Sequence, residues 1–99
     1  MTEIEKKVLM DNMTENLQML RVRLGLSQNE LASMIGISRH TIMNIENKKS
    51  ELTWANFLAL VLIFTKNEST NMLLNVLGIY TDEFNDFVKQ HENEKTREK

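Results

Sequence analysis

The chain contains no proline, and its three glycines, Gly25, Gly36 and Gly78, each follow a stretch in which apolar residues recur at helical spacing. Without proline, and with few clusters of β-branched residues, nothing stops helices from propagating except those glycines. A glycine ends a helix cheaply, because it adopts a left-handed conformation without a Cβ penalty. The arrangement predicts an all-α fold of short helices separated by tight turns.

The capping patterns set the starts. Thr2 with Glu5 three residues on is a capping box and predicts a helix over residues 3–11. A second helix runs from Thr14 to Leu24, with Leu17, Leu20, Val22 and Leu24 as a mixed apolar stripe. Ser27-Gln28-Asn29-Glu30 repeats the capping box and opens a third through Leu31, Ala32 and Ile35, stopped by Gly36. Ser38 caps the next, with Ile42 and Ile45 facing inward. Thr53 caps a strongly apolar helix holding Trp54, Phe57, Leu58, Val61, Leu62 and Phe64. Another runs from about Glu68 to Leu77. The last starts at Asp82 and places Phe84, Phe87, Val88 and His91 on one face. The polar residues beyond 92 are expected to fray.

The central segment carries the most constrained pattern. Two helices that cross steeply need a small residue where their backbones approach, and Ala32 stands there. The turn between them needs a left-handed residue, and Gly36 supplies it. Leu31, Ile35, Ile37, Ile42 and Ile45 then form one buried cluster that fixes the crossing. Ser38 caps the following helix.

The run Gln28-Asn29-Glu30-Leu31-Ala32-Ser33-Met34-Ile35-Gly36-Ile37-Ser38-Arg39-His40-Thr41-Ile42-Met43-Asn44-Ile45-Glu46-Asn47, with Leu24 to Gln28 before it and Ile45 to Lys49 around its end, resembles the helix-turn-helix of the phage repressor and Cro family, also called XRE-like. The resemblance covers about residues 14 to 66. It implies a lambda-repressor-like bundle of about five short helices plus a C-terminal helix, binding double-stranded DNA without a cofactor. It implies that Gln28 bonds a phosphate, and that Ser38, Arg39, His40 and Asn44 occupy the positions from which base edges are reached. It also implies a buried ion pair between Arg21 and Glu46, the alternative being two solvated charges. The sequence departs from the family where a glycine usually follows the Glu-Asn pair, here Lys48, and where a proline usually precedes the fourth helix, here Glu51-Leu52.

The chemistry of those side chains suits the roles. Arg39 can pair bidentately with guanine and Asn44 with adenine. His40 can donate to a guanine acceptor or a phosphate, or stay solvated. Thr41 can touch a phosphate or a thymine methyl, and Met43 can reach a thymine methyl or remain partly packed. Asn47, Lys48 and Lys49 follow the recognition helix and would anchor the backbone. The glycine usual in the family implies a left-handed conformation at position 48. Either Asn47 takes that conformation instead, or Lys48 accepts the strain, which is favoured because it brings a cation to a helix end.

Charge and composition bound the function. The net charge is −2, yet residues 13–49 carry Arg21, Arg23, Arg39, Lys48 and Lys49 against Glu15, Glu30 and Glu46, a net of +2. A positive middle with an acidic tail can bind phosphate on one face. The absence of cysteine excludes disulfides, thiolate zinc sites and cysteine nucleophiles. His40 and His91 are the only histidines, so no metal site is expected, and His91 reads as a half-buried interface residue. Asp82, Glu83 and Asp86 sit where acids favour a helix N-terminus, and no nucleophile–base set or phosphate-cradling loop points to an enzyme or a small-molecule substrate. No apolar run approaches the roughly 20 residues of a membrane span, and the acidic start lacks a signal-peptide layout, so the expected location is cytoplasmic.

The expected organisation is an N-terminal helical extension (1–12), a DNA-binding domain (13–66), C-terminal helices (67–92) and a polar tail (93–99). Leu73, Leu74, Leu77, Ile79, Tyr80, Phe84, Phe87 and Val88 either cap the core or also build a homodimer interface, chiefly within residues 68–91. The reading is a sequence-specific transcriptional regulator, a repressor, acting as a homodimer. The competing readings are an adaptor that keeps the fold without binding DNA, and the antitoxin of a toxin–antitoxin pair.

Overall fold

Hydroxyl groups mark where the helices begin. In the computed structural model, which describes residues 1–89, helix α1 is Glu3–Arg23, α2 is Gln28–Ile35, α3 is Arg39–Glu46, α4 is Trp54–Lys66 and α5 is Glu68–Leu74. Residues 82–89 form α6. The hydroxyls of Thr2, Ser27, Ser38 and Thr53 accept the backbone N–H of Glu5, Glu30, Thr41 and Asn56 at 3.0–3.1 Å. The Thr81 hydroxyl does the same for Phe84 at the start of α6. Each such cap is worth about 1 kcal/mol. In the two capping boxes the carboxylates of Glu5 and Glu30 accept in return from the N–H of Thr2 and Ser27, both at 2.8 Å. These bonds hold both carboxyls below the ordinary glutamate pKa.

All three glycines are left-handed, as their positions predict, with φ of 70° at Gly25, 78° at Gly36 and 71° at Gly78. At Gly36 the turn is closed by the N–H of Ile37 donating to the carbonyl of Ala32 at 3.0 Å. At Gly78 there is a second reason for the missing side chain. The Asn12 amide donates to the Gly78 carbonyl at 3.0 Å, and a Cβ there would stand 2.8 Å from the same nitrogen.

One expectation is corrected at the N-terminus. The helices expected over residues 3–11 and from Thr14 to Leu24 are a single helix of 21 residues. No proline or glycine lies between them to break the helix. Leu9, Met13, Leu17 and Leu20 are spaced four or three apart and are all buried, so one inner stripe crosses the expected boundary. At the other end α5 stops at Leu74 and residues 75–78 form the turn, three residues earlier than expected.

Among the described residues, sixteen buried apolar residues form one core. Leu31, Ala32, Ile42 and Ile45 bring the central helix pair onto α1, while Ile35 and Ile37 are half-buried at its edge. Phe57 and Phe64 of α4 face the same interior, and Phe84 of α6 closes it from below. The ring of Phe84 meets Phe57 edge-on at 5.6 Å and Tyr80 at 5.2 Å, and Trp54 stacks on Phe57 at 5.0 Å. The C-terminal third therefore caps the core. Thr70, fully buried on α5, is satisfied by donating to the carbonyl of Phe64 at 2.7 Å. His91 and the polar tail lie outside the described residues.

Ala32 is 1% exposed where α2 crosses α3. Ala32→Leu should overpack that crossing and lower stability by about 1–3 kcal/mol. A thermal melt unchanged by the substitution would contradict the close approach.

Candidate nucleic-acid interface

The site starts from α3, a helix of eight residues with two faces. Ile42 and Ile45 are buried, and Ser38, Arg39 and His40 are exposed. Thr41, Met43 and Asn44 are half-buried. Burying Ile42 and Ile45 turns His40, Met43 and Asn44 away from the core, while Arg39, three residues before Ile42 and seven before Glu46, projects from the flank of the helix. Of the four expected base-reading residues, His40 and Asn44 thus share one outward surface and Arg39 borders it. Met43 sits among them. The fourth, Ser38, is exposed but engaged: its hydroxyl caps α3 and lies 2.9 Å from the Thr41 hydroxyl. The two groups would meet a ligand as one small polar pair.

What holds α3 in place is a charge cluster beneath it. Arg21 on α1 donates to Glu46 on α3 through Nε at 2.7 Å and Nη2 at 3.0 Å, a bidentate pair. Its Nη1 donates to the carbonyl of Leu26 at 2.9 Å, fixing the loop before α2. The side chains are only 11% and 3% exposed, so the implied ion pair is present and buried rather than solvated. The hydrogen bonds to Glu46 raise the Arg21 pKa above the ordinary arginine value, outweighing burial, which acts to lower it. No buried side-chain nitrogen or oxygen among the described residues lacks a hydrogen-bond partner.

Gln28 belongs to this cluster. Its amide donates to Glu46 Oε1 at 3.1 Å, so in the free protein it points at the ion pair that the resemblance did not connect with it. No short-range signal in the sequence points to this contact, since the two residues are 18 apart and on different helices.

After α3 the chain turns on Lys48, whose φ of 61° is the only positive value at a non-glycine residue among those described. Of the two routes open to the sequence, the lysine takes the strain and Asn47 does not. Lys48 N–H donates to the carbonyl of Ile45 at 3.0 Å and Lys49 N–H to that of Asn44 at 2.8 Å, the paired bonds of a left-handed helix stop. The Lys48 amine lies 2.7 Å from the Glu15 carboxylate on α1, a contact between two largely exposed groups that sequence reasoning did not anticipate. Asn47 and Lys49 are exposed beside it. A groove of about 550 Å³ between α1 and residues 48–52 is lined by acids and lysines in near balance, including Asp11, Glu15, Lys7 and Lys48.

Lys48→Gly should relieve about 1 kcal/mol of left-handed strain, and it gives up an exposed ion pair of smaller worth. Denaturant melts should therefore show a small net stabilisation, about 0.5 kcal/mol. A destabilised glycine variant would show that the Glu15 contact outweighs the strain.

A family model described as a helix-turn-helix domain matches residues 14–79. No curated protein and no solved structure matches the chain. The matched span takes in α2, the Gly36 turn and α3, together with α4, α5 and the second half of α1, including Arg21. The chain belongs to the helix-turn-helix domain family, of the XRE type.

Proposed function

We propose that the protein is a transcriptional regulator, a repressor, that reads the major groove of double-stranded DNA with α3 and acts in the cytoplasm as a homodimer. The observation that carries this reading is the two-faced recognition helix. Arg39, His40 and Asn44 stand outward on a helix whose opposite face is buried and whose end is tied to α1 by a desolvated ion pair. Such a helix presents donors and acceptors from a fixed platform, as base readout requires. Arg39 reads guanine and Asn44 adenine. His40 donates to a guanine acceptor or a phosphate.

Phosphates are met from the flanks. Thr41 borders the reading face, and Asn47, Lys48 and Lys49 follow the helix end. Lys48 would exchange Glu15 for a phosphate oxygen. Gln28 would keep its bond to Glu46 and offer its remaining amide proton outward. A single α3 covers too few base pairs for useful specificity, and two copies on a two-fold site remove that limit.

Arg39→Ala and Asn44→Ala should each weaken specific binding by roughly 1–3 kcal/mol and relax preference at one base pair per half-site. Salt-titrated binding to a preferred and a scrambled duplex measures both effects. Affinity for each duplex should fall linearly with salt on logarithmic axes. Retention of full discrimination by both variants would overturn the assignment of α3 to the groove. Absence of salt-dependent binding to any duplex would favour a protein-binding adaptor, with or without a toxin as its partner.

A further inference from the structure

Helix α4 is apolar on more sides than the core uses. Phe57, Leu60, Val61 and Phe64 are buried. On the opposite side Ala55, Leu58, Ala59 and Leu62 recur at i, i+3, i+4 and i+7, and none carries a polar side chain. Leu58 is 39% and Leu62 59% exposed. A helix that is apolar all round is one whose second face is also covered. The outward face of α1 offers no comparable stripe, since Asp11 and Glu15 interrupt the run that begins with Ile4 and Val8. The C-terminal third, where a dimer interface was expected from composition, has Leu74, Ile79 and Phe84 already inside the core, and its exposed Met72, Val76 and Val88 are divided among α5, the turn after it and α6 rather than forming one stripe.

We infer that this outer face of α4 packs against the same face of a second copy, antiparallel, across a two-fold axis that passes between Leu58 and Ala59. The stripe is self-complementary in that register. Leu58 meets the partner's Ala59, and Leu62 meets the partner's Ala55, so each large side chain faces a small one. The same register brings Lys66, at the C-terminal end of α4, to the partner's Glu51, just before its N-terminal cap. Lys66 and Glu51 are both exposed, and neither takes part in an ion pair among the described residues. Size and charge thus close on one arrangement. An isologous contact requires that property and a contact with an unrelated protein does not.

The contact is small. A pair of short helices lies at the low end of interface areas, so association in the micromolar range is expected. Two adjacent half-sites would strengthen it by holding both copies at high effective concentration. The α4 surface serves the homodimer proposed above and rests on that reading for its purpose, but it is measured without DNA.

Sedimentation equilibrium of the 99-residue chain from low micromolar to millimolar concentration tests it. The wild type should self-associate as a dimer. Leu62→Glu should weaken the dimer by more than about tenfold while leaving the far-ultraviolet circular dichroism and the thermal midpoint nearly unchanged, because Leu62 is largely exposed. Lys66→Glu should weaken it severalfold, as should Glu51→Lys, and the double variant carrying both changes should recover most of the loss. A wild type that stays monomeric throughout overturns the inference and the homodimer reading together. A dimer indifferent to Leu62→Glu, or charge variants that do not compensate, overturns the α4 surface and leaves the homodimer reading standing. DNA binding by an obligate monomer would leave the α3 reading intact.

Discussion

The geometry of α3 depends on one buried ion pair. Arg21 and Glu46 are 25 residues apart in the chain and come from α1 and α3, yet their side chains are bound at two points and nearly dry. Gln28 adds a hydrogen bond from α2, so three helices converge on one carboxylate. The desolvation of two charges roughly offsets their attraction, and such a pair adds little net stability over an apolar replacement. It is nonetheless expensive to break: removal of one partner strands a buried charge at a cost of about 3–5 kcal/mol. That asymmetry makes the pair a register lock. Alternative angles of α3 would leave Glu46 unpaired, whereas the isoleucines alone would tolerate several.

The rest of the site follows from that lock. With Ile42, Ile45 and Glu46 fixed inward, His40 and Asn44 are left on the opposite surface, with Arg39 exposed at its border. The Gly36 turn sets the angle at one end of α3, and the left-handed Lys48 ends the helix at the other, returning the chain toward Glu15 on α1. Below, α4 and the Phe84 ring supply a core that α2 and α3 could not form by themselves. The net charge of the chain is −2, but Arg39 and Lys49 are exposed at the two ends of α3 and take part in no ion pair among the described residues.

Much of this was legible in the sequence, because short-range chemistry carried it. Thr2, Ser27, Ser38 and Thr53 announce helix starts through hydroxyls that reach only three residues, and the glycines announce their ends through φ alone. The resemblance added the Arg21–Glu46 pair, which no local rule reveals. What escaped was mostly tertiary. The fusion of residues 3–23 into one helix depended on Leu9 and Met13 finding a core that includes Phe57 and Phe84, and no window along α1 contains that core. The contacts of Lys48 with Glu15 and of Asn12 with the Gly78 carbonyl span 33 and 66 residues. Polar pairs at such separations leave no periodic trace. The engagement of Gln28 with Glu46 escaped for the same reason, since the two residues are 18 apart and on different helices.

The central claim is that α3, held by this lock, reads DNA sequence. Selection of bound duplexes from a random-sequence pool tests it most directly, because every possible site competes in the same pool. The expected result is enrichment of a short two-fold symmetric motif whose half-sites are separated by about one helical turn, roughly 10–10.5 base pairs, or a multiple of it. A pool that remains unenriched after repeated selection at moderate salt, with the protein folded throughout, would contradict it.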